Sequence, residues 1–302
     1  MTNRRWAMTQ EIGQFLGYIG AERGFTAKTV EAYRHDLGKF SEFATGELGG
    51  AWQSGDVDQH TIRAYMQFLA DKGNAAVSRG RKLATLKSFF KYLLSEDKIK
   101  SDPVAQVRMP KIQQKEPSYL TEQEYKRLLK VVKNNATKYF KLRDTAIITM
   151  LLGTGLRLNE LVQMNIGDVN FEDNTIKVTR KGNQERILPT SEEVLIVIQR
   201  YLRTREGVLL HEPLFLSKRN KRIDTASVWH LVKKYLKQAQ IEKEKLSPHT
   251  LRHTFATTLL KQGENLLTIK QLLSHKNLRT TERYLHINGE DLKAAVDKID
   301  LQ

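Results

Sequence analysis

The sequence contains no cysteine. That excludes disulfide scaffolds, thiolate nucleophiles and Cys-ligated zinc, and it suits a reducing compartment without establishing one. Proline is scarce, with six in 302 residues, and three of those fall between residues 101 and 118. Long hydrophobic runs are absent. The most apolar stretch, Thr145 to Gly155, falls far short of the ~20 residues that cross a bilayer. Near the start, Gln10, Glu11 and Gln14 interrupt what a secretory signal would need as its apolar centre. No Gly-x-x-x-x-Gly-Lys-Ser/Thr loop is found, so ATP-driven chemistry has no support. Carboxylates at a spacing that suggests paired metal ions are missing as well. These absences lead to the expectation of a soluble, cytoplasmic chain with no membrane partner, no metal and no cofactor.

What is abundant is positive charge. Fifty Lys and Arg stand against 34 Asp and Glu, a net charge of +16. Divided at Glu116, the first part holds 18 basic and 13 acidic residues and the rest 32 and 21, so both parts are positive. An excess of this size points to a polyanion, with nucleic acid first; a merely basic, solvated surface is the alternative. At 40% hydrophobic residues the chain has enough apolar surface for real cores, which excludes wholesale disorder.

The apolar spacing is helical through the first third. Ile12, Phe15, Leu16 and Ile19 form one stripe, and Val30, Tyr33, Leu37, Phe40 and Phe43 form another. Thr45 to Gly50 reads as a loop from its composition. Asp58 reads as the N-cap of a helix carrying Ile62, Tyr65, Met66 and Leu69, and a fourth helix is predicted from about Ser78 to Ser95. Residues 101–118 hold the proline cluster and read as extended, basic chain. We therefore place a helical domain at 1–107, a linker at 108–118 and a second domain at 119–302. In the second, Thr121 with Glu124 forms a capping box. A nearly all-apolar, central helix follows at about Lys141–Leu152. Thr175–Arg180 and Glu185–Pro189 read as a hairpin through Lys181-Gly-Asn-Gln. Helices are predicted from about Ser191 to the end.

Four places hold polar residues suited to chemistry. Arg157 follows a Gly turn at a helix start, where backbone N–H groups favour anions; its apolar neighbours suggest partial burial, and a surface arginine is the alternative. Lys181 at the hairpin tip reads, taken alone, as a solvated turn lysine. In Ser247-Pro-His249-Thr-Leu-Arg252-His253, serine caps, proline takes the first helical position and Gly263 closes the helix. His249 and Arg252 share a face three residues apart. His249 and His253 lack the glutamate of a zinc protease motif and would place Arg252 beside a metal, so a zinc site is disfavoured; two structural histidines are the alternative. Finally, His275 follows an amphipathic helix and Tyr284 lies in the next short one, where a lone tyrosine is usually a core residue. Together, two arginines, a lysine, two histidines and a tyrosine are the groups that metal-free attack on a phosphodiester requires.

At these residues the chain resembles the tyrosine recombinase family, also called the phage integrase or Xer-like family. The matching motifs are Thr-Gly-Leu-Arg157-Leu-Asn-Glu160-Leu, the hairpin Lys181, His249-Thr-Leu-Arg252-His253, Leu-Leu-Ser-His275 and Thr-Thr-Glu-Arg-Tyr284. Phe25 to Tyr33, with Leu37 and Phe40, is similar to the family's core-binding domain. The resemblance implies a mainly α fold with a small β-sheet. An N-terminal helical, SAM-like core-binding domain would precede an α+β catalytic domain ending in an exchange helix, here Leu292–Ile299. It implies that Arg157 and Arg252 clamp the scissile phosphate and that Tyr284 attacks it, leaving a 3′-phosphotyrosyl link. Lys181 would protonate the departing 5′ oxygen, His249 would take the tyrosine proton and His275 would hydrogen-bond the phosphate. Glu160 would support the site without touching DNA. The implied partner is duplex DNA with an inverted-repeat core site, gripped by a C-shaped clamp. A homo-tetramer would hold two sites, with room for a paralogous recombinase or accessory protein, and the protein would work at the nucleoid. Arg79, Arg81, Lys82, Lys87 and Lys91 make Ser78–Lys91 the candidate DNA-facing helix; a solvated basic face is the alternative. Ser274 and Leu285 stand where many members have Gly and Thr. The chain begins at the core-binding domain, so a simple core-site recombinase is expected. Rival readings are a type IB topoisomerase-like enzyme that relaxes strands, a DNA-binding accessory protein without catalysis, and an RNA-binding module supported by charge alone.

Overall fold

The structure is a computed structural model that describes residues 2–111, 118–135, 140–179, 184–205, 207–243 and 246–273. The chain folds as two compact units, 1–114 and 115–302. The first is built on four helices: α1 (Thr2–Ala21), α2 (Ala27–Glu47), α3 (Gln59–Asp71) and α4 (Ala76–Ser95). Each starts or stops for a local reason. Thr26 caps α2 by accepting from the Thr29 amide, and Asp58 caps α3 by accepting the Thr61 amide at 2.8 Å. Helix α2 runs through Thr45–Glu47, which composition had placed in a loop. The Thr45 hydroxyl donates to the Ser41 carbonyl at 2.8 Å and accepts from Trp52 Nε1 at 3.2 Å. The turn comes only at Gly49 and Gly50, whose positive φ ends the helix. Phe40 lies at the centre of an aromatic cluster, edge-on to Trp52, Tyr65 and Phe90. Val104 and Val107, after α4, are buried in the same core.

The second unit is organised around α6 (Lys141–Thr154), which packs against α5 (Glu122–Asn135), α8 (Glu192–Leu202), α9 (Thr225–Gln238) and α10 (Pro248–Lys261). The capping box of α5 forms as the sequence predicts, with Thr121 N on Glu124 Oε2 at 2.7 Å and Glu124 N on Thr121 Oγ1 at 3.3 Å. Helix α6 is buried on nearly all sides and still buries two charges, Arg143 and Asp144. Arg143 Nε and Nη2 donate to Asp144 Oδ1 at 2.9 and 2.6 Å, and Nη1 donates to the Leu216 carbonyl at 2.9 Å. Tyr235 of α9 donates its hydroxyl to Asp144 Oδ2 at 2.8 Å. The Arg143 guanidinium also covers the Phe140 ring at 4.3 Å.

A three-stranded antiparallel sheet, β1 (Val169–Asn170), β2 (Thr175–Thr179) and β3 (Glu185–Pro189), flanks the helices. Ile176 pairs with Leu188 and Val178 with Arg186, so Ile176, Val178 and Leu188 turn into the core. Strand β1 is too short to carry a periodicity and was not predicted. Residues 203–205 and 207–224 were expected to be helical and are not. Pro213 has no N–H for a helix ladder and Gly207 takes a positive φ. Instead Arg205 Nη1 donates to the Pro213 and Leu214 carbonyls, and Arg222 Nη1 donates to those of Val162 and Met164. Two short helices, α7 (Leu158–Gln163) and α11 (Leu266–Leu273), also belong to the unit. Among the described residues, no helix is long and apolar enough to cross a membrane.

Candidate active site

The site begins where α6 stops. Gly155 follows the helix with φ 62° and ψ 22°, the left-handed conformation that costs other residues most. A Cβ here would lie 2.4 Å from Phe255 Cδ1 and 2.9 Å from Leu273 Cδ2, so the position needs glycine for space as well as for φ. The turn delivers Arg157 to the start of α7, where its side chain is 40% exposed. Glu160, largely buried, holds it twice. One carboxylate oxygen accepts the Arg157 amide at 2.8 Å and the other accepts Nη1 at 2.8 Å. One acid thus satisfies a helix-start N–H and orients the guanidinium.

The second arginine comes from α10. Pro248 takes the first helical position and Ser247 N donates to Thr250 Oγ1 at 3.1 Å. Arg252 is then buried, at 6% exposure. Its Nη1 donates to the Gly155 carbonyl and its Nη2 to the Leu273 carbonyl, both at 2.5 Å. Gly155 directly follows α6 and Leu273 is the last described residue of α11, so one guanidinium ties the turn after α6 to α11. The arrangement brings Arg252 to the turn that supplies Arg157.

His249 lies one turn before Arg252. Burial of the imidazole pushes its pKa below the ordinary histidine value, and the charges of Arg252 and Arg157 push it the same way. The residue as a whole is exposed, and the lowered pKa favours the uncharged imidazole at neutral pH. Among the described residues, no three His, Asp or Glu side chains converge as metal ligands. Lys181, His275 and Tyr284, and the tail Leu292–Ile299, lie outside the described residues.

The basic helix of the first unit does not present one uniform face. Lys91 is exposed, Lys87 and Arg79 are half-buried, and Arg81 keeps 53% of its side chain in solvent. Lys82 is the correction. Its side chain is 7% exposed and its ammonium lies 3.1 Å from Asp36 Oδ1, so it points inward toward α2. Asp36 was missed altogether. Its signal was an acid lying in register with Tyr33, Leu37 and Phe40 on the apolar stripe of α2.

The comparisons with known proteins agree along most of the chain. The phage integrase family profile matches residues 118–291, and the phage integrase N-terminal SAM-like domain matches 12–97. Tyrosine recombinase XerC of Caldanaerobacter subterraneus subsp. tengcongensis is 36% identical across 95% of this chain and 86% of its own. Tyrosine recombinase XerD of Proteus mirabilis is 36% identical across 93% of this chain and 90% of its own. Among solved structures, the XerA recombinase is 28% identical with a TM-score of 0.52, covering 96% of this chain and 98% of that one. XerH site-specific recombinase bound to palindromic difH substrate superposes with a TM-score of 0.76 at 21% identity, over 99% and 89% of the two chains, a likeness of fold. The mainly helical architecture with its small sheet and the SAM-like first domain agree with these relatives, and the chain belongs to the phage integrase family of tyrosine recombinases, enzymes that break and rejoin DNA at specific sites.

Proposed function

We propose that this chain is a core-site recombinase in which Arg157 and Arg252 grip one scissile phosphate. The observation that carries the reading is the bond from Arg252 to the carbonyl of Gly155, two residues before Arg157, which supports a shared anion site. In the proposed step the Tyr284 hydroxyl oxygen bonds to phosphorus and the bond from phosphorus to the 5′ oxygen breaks. The tyrosine proton passes to His249, which its surroundings keep neutral. The departing 5′ oxygen takes a proton from Lys181, and His275 hydrogen-bonds the phosphate. The two guanidiniums offset the charge that builds on the equatorial oxygens. Glu160 fixes Arg157 from behind. Attack by a second strand's 5′-hydroxyl then reverses the step, so bond energy is conserved and no nucleotide cofactor is consumed.

The relatives XerC and XerD, and the XerH complex with its palindromic substrate, favour duplex DNA with an inverted-repeat core as the partner. We further infer a homo-tetramer across two sites, with both units contacting the duplex. Such a protein acts in the cytoplasm, at the nucleoid. The test uses duplexes from the source genome, nicked near candidate crossover points so that cleavage is trapped. They are incubated with protein in EDTA without ATP and run on denaturing gels. A protein–DNA adduct that disappears in Tyr284→Phe is expected, and strand transfer to a second duplex separates recombination from relaxation. Tight binding with no adduct on any cognate duplex would overturn the proposal.

A further inference from the structure

The first unit contains a charge arrangement that the catalytic scheme does not use. Asp36 of α2 is 1% exposed in its side chain, and its side-chain hydrogen-bond partners among the described residues come from α4. Arg81 donates to it through both terminal nitrogens, Nη1 to Oδ2 and Nη2 to Oδ1 at 2.9 Å. Lys82 Nζ donates at 3.1 Å and Thr85 Oγ1 at 3.2 Å. One buried carboxylate therefore faces two cations, and the cluster keeps a net positive charge.

The two cations are not equivalent. Lys82 is buried beside the acid, whereas Arg81 is half in solvent. Lys82 and Thr85 alone would fasten α4 to α2, so a second cation is not needed as a bolt. What the fork adds is direction. Arginine has five N–H donors in a rigid plane, and the paired bonds to Asp36 use two of them. Their geometry fixes the plane, while about half of the side chain stays in solvent, 53% by area. A lone surface arginine would have to give up rotamer freedom on meeting an anion; here that ordering is already done.

We propose that Asp36 is a positioning residue that presents Arg81 to a phosphate of the DNA backbone. This rests on the reading that the first unit grips duplex DNA. The phosphate completes the charge balance of the cluster, and Arg81 bridges it to the buried acid. The contact is to the backbone, so it sets register and orientation without reading bases.

The idea has a sign that separates it from simple electrostatics and from a structural bolt. Asp36→Asn removes a negative charge, so bulk attraction alone makes DNA binding tighter. Loss of positioning makes it weaker. The measurement is affinity of the full chain for a labelled duplex of random sequence across a salt series, with a thermal melt of each variant. Arg81→Ala is expected to weaken binding about tenfold and to lower the log–log salt slope by about 0.9, one phosphate. Asp36→Asn is expected to weaken it about threefold or more while melting cooperatively, and to have no further effect in the Arg81→Ala background. Unchanged or tighter binding by a folded Asp36→Asn overturns the proposal. If Asp36→Asn does not fold, Arg81→Lys decides, since it keeps the charge and loses the fork. Weaker binding by Arg81→Lys supports the proposal, and equal affinity overturns it. Lys87→Ala and Lys91→Ala isolate the premise. If they weaken binding and Arg81→Ala does not, this inference fails alone; if none of the three matters, the first unit does not grip DNA and both fail.

Discussion

The two ends of α6 handle arginine in opposite ways. At the N-terminal end, Arg143 is closed off: a carboxylate takes two of its donors, a carbonyl a third, and an aromatic ring lies under its face. At the C-terminal end, Gly155 and Leu273 offer Arg252 carbonyl oxygens. Both guanidiniums are oriented and both are buried. The difference lies in what orients them. Arg143 is enclosed by a carboxylate, a carbonyl and a ring, whereas the bonds from Arg252 to Gly155 and Leu273 run to neutral carbonyls, which orient the guanidinium without adding a negative charge. The buried pair at the N-terminal end of α6 suits a structural joint, and the turn at its C-terminal end serves the proposed site.

The comparison can be broken from either end. The largest effect is expected at the closed end. Arg143→Ala strands Asp144 with Tyr235 as its remaining partner and should cost about 3–5 kcal/mol of stability, read as a lower denaturant midpoint. Adduct formation per folded molecule should stay within a few-fold. A large loss of cleavage at full occupancy of the folded state would show that the two ends are not separable.

Next comes the open end. Arg252→Lys keeps a cation but cannot reach both carbonyls with a planar fork. Cleavage should fall about 10²–10³-fold while the melting temperature changes by only a few degrees. Near-normal cleavage would mean that charge alone suffices. Gly155→Ala joins the two properties. It forces alanine into a left-handed turn against Phe255 and Leu273, at a cost of about 1–3 kcal/mol, and it displaces the carbonyl that Arg252 uses. Stability and cleavage should drop together; loss of stability with full cleavage would uncouple the turn from the site.

The smallest effect concerns His249. Its depressed pKa means that the folded state binds this proton less readily than the unfolded chain. The contribution to stability is therefore present above the ordinary value of about 6.5 and is lost as pH falls through it toward the folded value. An NMR titration of the ring should give a midpoint below about 6.5, moving upward in Arg157→Gln as one positive neighbour is removed. A midpoint at or above the ordinary value would contradict the crowded, cationic surroundings.

Legibility in the sequence followed range. The caps at Asp58, Thr121 and Ser247–Pro248, the hairpin of β2 and β3, and the buried α6 all depend on neighbours within a few residues, and each was readable. The order of Arg157, His249 and Arg252 was readable as a motif. Local patterns could not show that Arg252 would tie the turn after α6 to α11. Asp36 with Arg81 and Asp144 with Tyr235 pair across 45 and 91 residues. There the only local hint was an acid on an otherwise apolar face. Lys82 was misplaced for the same reason, because a lysine on a basic helix looks solvated until its distant acid is known. Residues 203–205 and 207–224 failed differently: they are held by arginines bonding to carbonyls, which leaves no periodicity to read.

The link from Arg252 to Gly155 also spans 97 residues, and that sets a timetable. During synthesis at the usual pace, Arg157 and its glutamate emerge roughly 5–20 s before Arg252. Tyr284 comes later still in the chain. Under the proposed mechanism, a growing chain would therefore display half of the anion site long before it holds its nucleophile. A product cut short before Tyr284, even one able to rest on DNA, would have no means of nicking it.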